Sequence, residues 1–275
     1  MKIILLTSDY NLPANIALRE FLESSVIKKH HIEVAGIISA STFDFNKRGV
    51  NIMMKFINQS GFLFFAKSII SSIWKRLSIG FAKYFIPNRN REYFSIRELA
   101  KMHKIPFLDT EHVNSKEVEA FIRLKKPDHL VSLFLLQILK KNILDLAPNG
   151  SINVHPALMQ KHRGIFTSFW AILKKWQHGG ATVHYMTEEI DEGRIIVQKH
   201  FFVHPYDTIY SVNKKSAKLA AKLILRALVM IKRKQAKGLF LQKMGKLFTM
   251  PTKIDIKKFY RTGRSMMTAK EFFNF

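Results

Sequence analysis

Ser151-Ile152-Asn153-Val154-His155-Pro156-Ala157-Leu158 is the stretch that organises the chain. Apolar Ile152 and Val154 alternate with polar Asn153 and His155, the period of a strand, so the amide and the imidazole share one face. Pro156 has no N–H to give a ladder, which ends the strand and sets His155 at its carboxyl end. The same alternation of strand and helix runs outward from it in both directions. Upstream lie a strand at His129 to Leu133, helical spacing over Lys116 to Leu124, an apolar step at Ile105 to Leu108, a helix over Ser95 to His103, and a strand-helix-strand unit formed by Ile3 to Leu6, Asn15 to Lys28 and Val34 to Ile38. Downstream come a helix from about Phe166 to Trp176, strands at Ala181 to Met186 and Ile195 to Val203, and a long helix over Thr208 to Lys234 with Ala, Leu and Ile on one side and Lys on the other.

Strands alternating with helices predict the α/β class, as an open, mostly parallel Rossmann-like sheet. A chain of 275 residues with 47% apolar residues has material for a real core, which excludes disorder as a description of the whole. There is no cysteine, so disulfides, thiolate nucleophiles and iron–sulfur clusters are excluded. The division expected is a body over 1–205, including a basic insertion at about 45–91, then the long helix and a short tail over 206–275. Met1 to Asp9 lacks the pattern of a secretory signal and reads as a buried strand, which gives a cytoplasmic expectation.

The formal charge of +25 calls for an anionic partner, or else reflects lysines on solvated faces. Two stretches concentrate it. Phe45 to Arg91 has no Asp or Glu against Lys47, Arg48, Lys55, Lys67, Lys75, Arg76, Lys83, Arg89 and Arg91, and Thr208 to Ile254 has twelve unopposed Lys and Arg. Within 51–86, Phe62 to Phe65 and Ile69 to Trp74 alternate with lysines at helical spacing, in runs far below the roughly 20 residues of a membrane span. That is the pattern of a helix lying on an anionic membrane, with packing on the domain and docking to a partner as the other readings.

The chemistry-bearing residues fall in order along the chain. Asn153 and His155 can converge on one small substrate at the edge where open α/β sheets bind ligands, and Asp191 could orient His155 or take a proton from a nucleophile. Asn153, His155, Pro156 and Leu158, followed by Arg163-Gly164 and then Asp191 and Gly193, resemble the Asn-x-His-Pro, Arg-Gly and Asp-x-Gly pattern of the formyltransferases that use 10-formyltetrahydrofolate. Thr182 to Met186 is similar to the strand that precedes the family's Asp loop. The resemblance is clear over about 128–203. It implies a formyltransferase fold and catalytic roles for Asn153, His155 and Asp191. It also implies folate contacts from Leu136, Gln137, Ile138 and Leu139 and from Glu189 and Ile190, acceptor contacts from Asn11, Arg163 and Gly164, and no metal. His162, His178, His184, His200 and His204 have no compact ligand spacing and read as surface or packing residues.

Departures narrow the acceptor. Ala157 stands where the family has Ser, Gln160 where it has a second Pro, and Thr7 to Asn11 lacks a glycine-rich phosphate cradle, which lowers the purine-biosynthetic branch. Gly238 to Phe275 is expected to form a hairpin or strand pair and a short helix around Ile254 to Phe259, too little for the β-barrel of methionyl-tRNA formyltransferases. No preceding regulatory domain is expected, since Met1 to Ser8 reads directly as the first strand. The resulting expectation is a formyltransferase acting on a nucleotide- or lipid-linked amino sugar of surface polysaccharide, peripheral at an anionic membrane. The alternatives are tRNA formylation, with nucleic acid the lesser expectation as a partner, and a non-catalytic basic membrane- or nucleic-acid-binding protein on the same scaffold. The insertion and the tail are both candidate homodimer surfaces.

Overall fold

The computed structural model describes residues 1–8, 11–40, 47–68, 70, 95–243 and 245–273. Seven strands form one sheet in the order β3-β2-β1-β4-β5-β7-β8. They are β1 (Lys2–Ser8), β2 (Glu33–Ala40), β3 (Phe107–Thr110), β4 (His129–Leu133), β5 (Ser151–His155), β7 (His178–Tyr185) and β8 (Ile195–Phe202). The first five pair in parallel, and β7 and β8 run antiparallel. This is the expected α/β sheet. A separate two-stranded ribbon joins β6 (His162–Gly164) to β9 (Lys246–Phe248) in parallel.

Helices cover both faces. On one, α1 (Leu12–Leu22), α5 (Ile96–Met102) and the long α9 (Ile209–Lys232) seal Ile3, Leu5, Ile37, Val131, Ile152 and Val183. On the other, α6 (Lys116–Lys125) and the single turn α7 (Lys141–Leu144) cover Ile4, Leu6, Ile38 and Leu130. Burial on both faces explains why Ile3 to Leu6 of β1 reads as a continuous apolar run rather than an alternating one. α9 starts at a capping box in which Thr208 and Ser211 each bond the other's backbone N–H, the device that fixes its first turn.

Two expectations need correction. The helical spacing over Asn15 to Lys28 is two elements, α1 and α2 (Ser25–Lys29), because Ser24 turns extended and its hydroxyl accepts from the Val26 N–H, starting a new helix. Among the described residues the tail forms no hairpin of its own; its strand pairing is with the body. Leu239 bridges to Ile195, while Lys246 to Phe248 pairs with His162 to Gly164, so both segments complete older parts of the body. The short helix expected near Ile254 is present as α10 (Lys253–Arg261), and α11 (Ala269–Phe273) follows.

In the basic insertion, α3 (Lys47–Ser60) and α4 (residues 62–68) are helical, and the rest of that expectation, over 71–94, lies outside the described residues. Phe64 packs with Phe169 and Trp170 of α8 (Thr167–Leu173) and with Ile256 and Phe259 of α10 in a third apolar cluster. Ser60 Oγ donates to the Pro251 carbonyl at 2.6 Å and Gln59 Nε2 to that of Met250 at 2.7 Å.

Candidate active site

β5 ends on His155, as Pro156 requires, and β7 lies antiparallel beside it with Asn153 opposite His184 and His155 opposite Thr182. The loop after β7 folds back over this edge. Gly193 makes the return because a Cβ there would run into the Tyr185 carbonyl, and Asp191 sits at φ 53°, a left-handed conformation that Asp adopts more readily than most residues. The turn delivers the Asp191 carboxylate into the site.

Asp191 Oδ2 accepts from the Gly164 N–H at 2.9 Å and lies 3.3 Å from His155 Nδ1, while Oδ1 is 3.6 Å from His184 Nε2. The last distance exceeds a hydrogen bond. Asn153 Nδ2 meets His184 Nε2 at 3.1 Å, and His184 Nδ1 meets the Tyr185 carbonyl at 2.8 Å. These two contacts put the His184 proton on Nδ1 and make Nε2 the acceptor of the Asn153 amide. Asn153, His155 and Asp191, separated in sequence, thus occupy one connected cluster at the carboxyl edge of the sheet.

The electrostatics follow from enclosure. Burial alone would raise the Asp191 pKa, yet neighbouring His155 and the Gly164 N–H outweigh it and hold the carboxyl well below the usual carboxylate range. Burial pushes the His155 pKa down, opposed by Asp191 and reinforced by His184. Both His155 nitrogens face acceptors, since Nε2 lies 3.0 Å from the His162 carbonyl. A neutral ring has one N–H and serves one acceptor at a time, whereas the protonated ring would serve both. Burial thus favours the neutral ring, while the two acceptors favour the protonated one.

His184 is the residue that sequence reasoning assigned to packing. It is buried, but it joins Asn153 to the Asp191 side of the cluster. Its signal is register: once β7 is set antiparallel to β5, His184 falls opposite Asn153. His162 is also buried, with neither ring nitrogen partnered.

The implied acceptor contacts divide. Gly164 takes φ 90°, and a Cβ there would strike the Phe248 carbonyl, so glycine is demanded by the close approach of β9. Arg163 Nε donates to the Gly245 carbonyl at 2.9 Å and its Nη1 pairs with Glu192, so it braces the Asp loop against the tail. Asn11, at the end of β1, donates from Nδ2 to the Phe134 carbonyl at 3.4 Å.

The implied folate contacts also divide. Leu133 pairs with Val154, so the segment from Phe134 onward leaves the sheet beside His155. Leu136 and Ile138 are 53% and 59% exposed there, and the Leu136 N–H donates to Ser8 Oγ at 2.8 Å. Leu139 points into the core instead. Gln137 ties the loop down, its Oε1 accepting from the Val113 N–H and its Nε2 donating to the Glu111 carbonyl. Glu189 and Ile190 are exposed on the Asp loop. Among the described residues no group of three or more His, Asp or Glu could hold a metal ion.

The methionyl-tRNA formyltransferase of Thermotoga maritima is 29% identical over 137 residues, which cover 50% of this chain and 44% of that protein. This chain's match thus spans less than half of that relative's length. A sugar N-formyltransferase from Shewanella sp. superposes with a TM-score of 0.56 at 18% identity, covering 95% of this chain and 87% of the other. An N-formyltransferase from Helicobacter canadensis, solved with folinic acid and dTDP-3-aminofucose, gives 0.56 at 18% identity over 90% of this chain and 71% of that one. At such identity these likenesses speak for the fold. The family model described as formyl transferase matches residues 85–228, which include β5, the Asp loop and every member of the cluster at its edge, and by that match the chain belongs to the formyl transferase family.

Proposed function

We propose that this chain moves the formyl group of 10-formyltetrahydrofolate to the amine of a nucleotide- or lipid-linked amino sugar. The observation that carries the reading is the contact cluster of Asn153, His155 and Asp191 at the carboxyl edge of the sheet. The donor supplies an activated one-carbon acyl group.

Each residue then has a task that its environment suits. Asn153 is half-buried and spends one amide N–H on His184, which leaves the second for the formyl oxygen as charge builds on it. The new C–N bond forms as the C–N bond to the folate breaks, and the proton lost by the attacking amine is matched by one gained by the leaving nitrogen. The His155–Asp191 pair takes the proton the amine loses, held on the His155 ring against the Asp191 charge, and returns that same proton to the leaving nitrogen, so His155 is cationic only between the two transfers. Leu136 and Ile138 give the ring of the donor an apolar surface.

The amino-sugar acceptor draws support from the cationic excess, which suits a phosphate-bearing acceptor, and from the fold likeness to a protein solved with folinic acid and a dTDP-linked amino sugar. A second reading, formylation of methionyl-tRNA, is favoured by the sequence match to such an enzyme from Thermotoga maritima. The test follows tetrahydrofolate release with nucleotide-linked 3-amino and 4-amino deoxysugars beside charged initiator tRNA. Turnover with an amino sugar, lost in His155→Ala, is the expected result. Turnover with the tRNA alone would replace the first reading by the second, and no turnover in any lane would overturn both.

A further inference from the structure

Helix α4 is apolar on two faces, and only one of them is covered. Phe64 and Phe65 turn inward, 3% and 6% exposed, against the cluster of α8 and α10. Phe62 and Leu63 turn outward, 65% and 76% exposed, and Ile70 continues that face at 58%. α10 lies alongside. Gly61 approaches the side chain of Lys253, Lys67 Nζ stands 4.9 Å from the centre of the Tyr260 ring, and Ile254, beside Lys253, is 66% exposed. Exposed Lys55, Lys67, Lys253, Lys257, Lys258 and Arg261 surround these apolar side chains. Asp255 is the acidic residue of α10, and its carboxylate is spent on the Thr252 cap.

A contiguous apolar strip in a lysine frame is not a solvated surface. A second copy of the chain is a poor occupant, because a two-fold contact would press one lysine-rich face against another. Single-stranded nucleic acid would ask for a run of aromatic stacking platforms, and beside Phe62 and Tyr260 the exposed apolar side chains Leu63, Ile70 and Ile254 are aliphatic. Aliphatic side chains with lysines at their margin match the boundary between acyl chains and anionic headgroups. We propose that the paired outer faces of α4 and α10 dock the protein on an anionic lipid bilayer, with Phe62, Leu63 and Ile254 entering the acyl boundary and the surrounding lysines meeting the headgroups.

Packing links the insertion and α10 to the segments that flank Gly164. Phe56 of α3 stacks on Phe166 at 5.9 Å, two residues beyond Gly164, and β9 runs from the Gly164 contact towards α10. The docking itself does not rest on formyl transfer, and a binding assay reads it alone.

Vesicles of phosphatidylglycerol mixed with phosphatidylcholine, and of phosphatidylcholine alone, are sedimented with the full chain at low and high salt. Binding to the anionic vesicles, weakened by salt, is expected. The pair Phe62→Ser and Leu63→Ser, both exposed and so without cost to the core, should lower the partition about tenfold or more. Lys257→Glu with Lys258→Glu should abolish the preference for anionic lipid. Leu124→Ser, at an exposed leucine of α6, should leave binding unchanged. No binding by the unaltered chain, equal binding by the serine pair, or capture of an unstructured RNA in place of vesicles would overturn the proposal. So would a dimer that the serine pair dissolves in the absence of vesicle binding.

Discussion

Asp191 combines a left-handed backbone, a buried carboxylate and three polar neighbours, and only its charge is dispensable to its shape. Asparagine tolerates the same conformation, so Asp191→Asn keeps the loop and removes the anion. Turnover should then fall on the order of 10²–10⁴-fold, the range of a lost acid–base partner, with an unaltered circular dichroism spectrum. His162 gives a second test at this scale. Its ring is fully buried between Phe248 and Trp176 with both nitrogens unpartnered, and burial, then the neighbouring His155, push its pKa down from 6.5 to about 3. The folded protein resists protonating it, so its neutral form contributes stability above the ordinary value, and that contribution is lost as pH falls from 6.5 towards 3. The loss should approach about 1.4 kcal/mol per pH unit in that window. In urea unfolding, His162→Phe should lack this component. The acid loss due to Asp191, whose folded pKa is depressed, begins only below its ordinary 3.8 and is common to both proteins.

Phe259 shows what an element contributes. It is fully buried, stacks on Phe169 at 5.1 Å, and is where α10 grips α8 and the insertion. Phe259→Ala should cost about 3–5 kcal/mol in chemical denaturation, because the ring leaves a cavity that two helices cannot close at once. Such long-range elements mark the limit of what was legible in the chain. The sheet was, since continuous apolar runs bounded by polar and proline residues identify buried parallel strands, and Pro156 marked the end of β5. The pairing of β6 with β9 was not, since three residues carry no period and their partners lie more than eighty positions away. Asn153, His155 and Asp191 could be singled out as residue types in order, and Arg163-Gly164 with them. That Gly164 would donate its amide to Asp191, that His184 would face Asn153, and that Leu139 would turn inward depended on register and loop direction, which periodicity does not encode.

Across the whole molecule the charge is unevenly shared. Glu188, Glu189 and Glu192 gather on the Asp loop and Asp109, Glu111, Glu117 and Glu119 near β3 and α6, so the excess that makes +25 falls on the insertion, α9 and α10. Lysines on exposed helices act at range through solvent, where the Debye length shrinks from about 30 Å at 0.01 M salt to about 8 Å at 0.15 M. An acceptor carrying phosphate charge should be drawn to the protein by this excess, whereas the buried cluster at β5 is shielded from the same ions by protein. Raising salt across that interval should therefore raise KM for a nucleotide-linked acceptor several-fold and leave kcat nearly constant. The free amino sugar, without phosphate, should show a flat KM. A flat KM for the nucleotide-linked acceptor as well would mean that the positive field plays no part in its capture. A kcat that fell in step would mean that salt reaches Asp191 and His155, against their burial of all but a few per cent of each side chain.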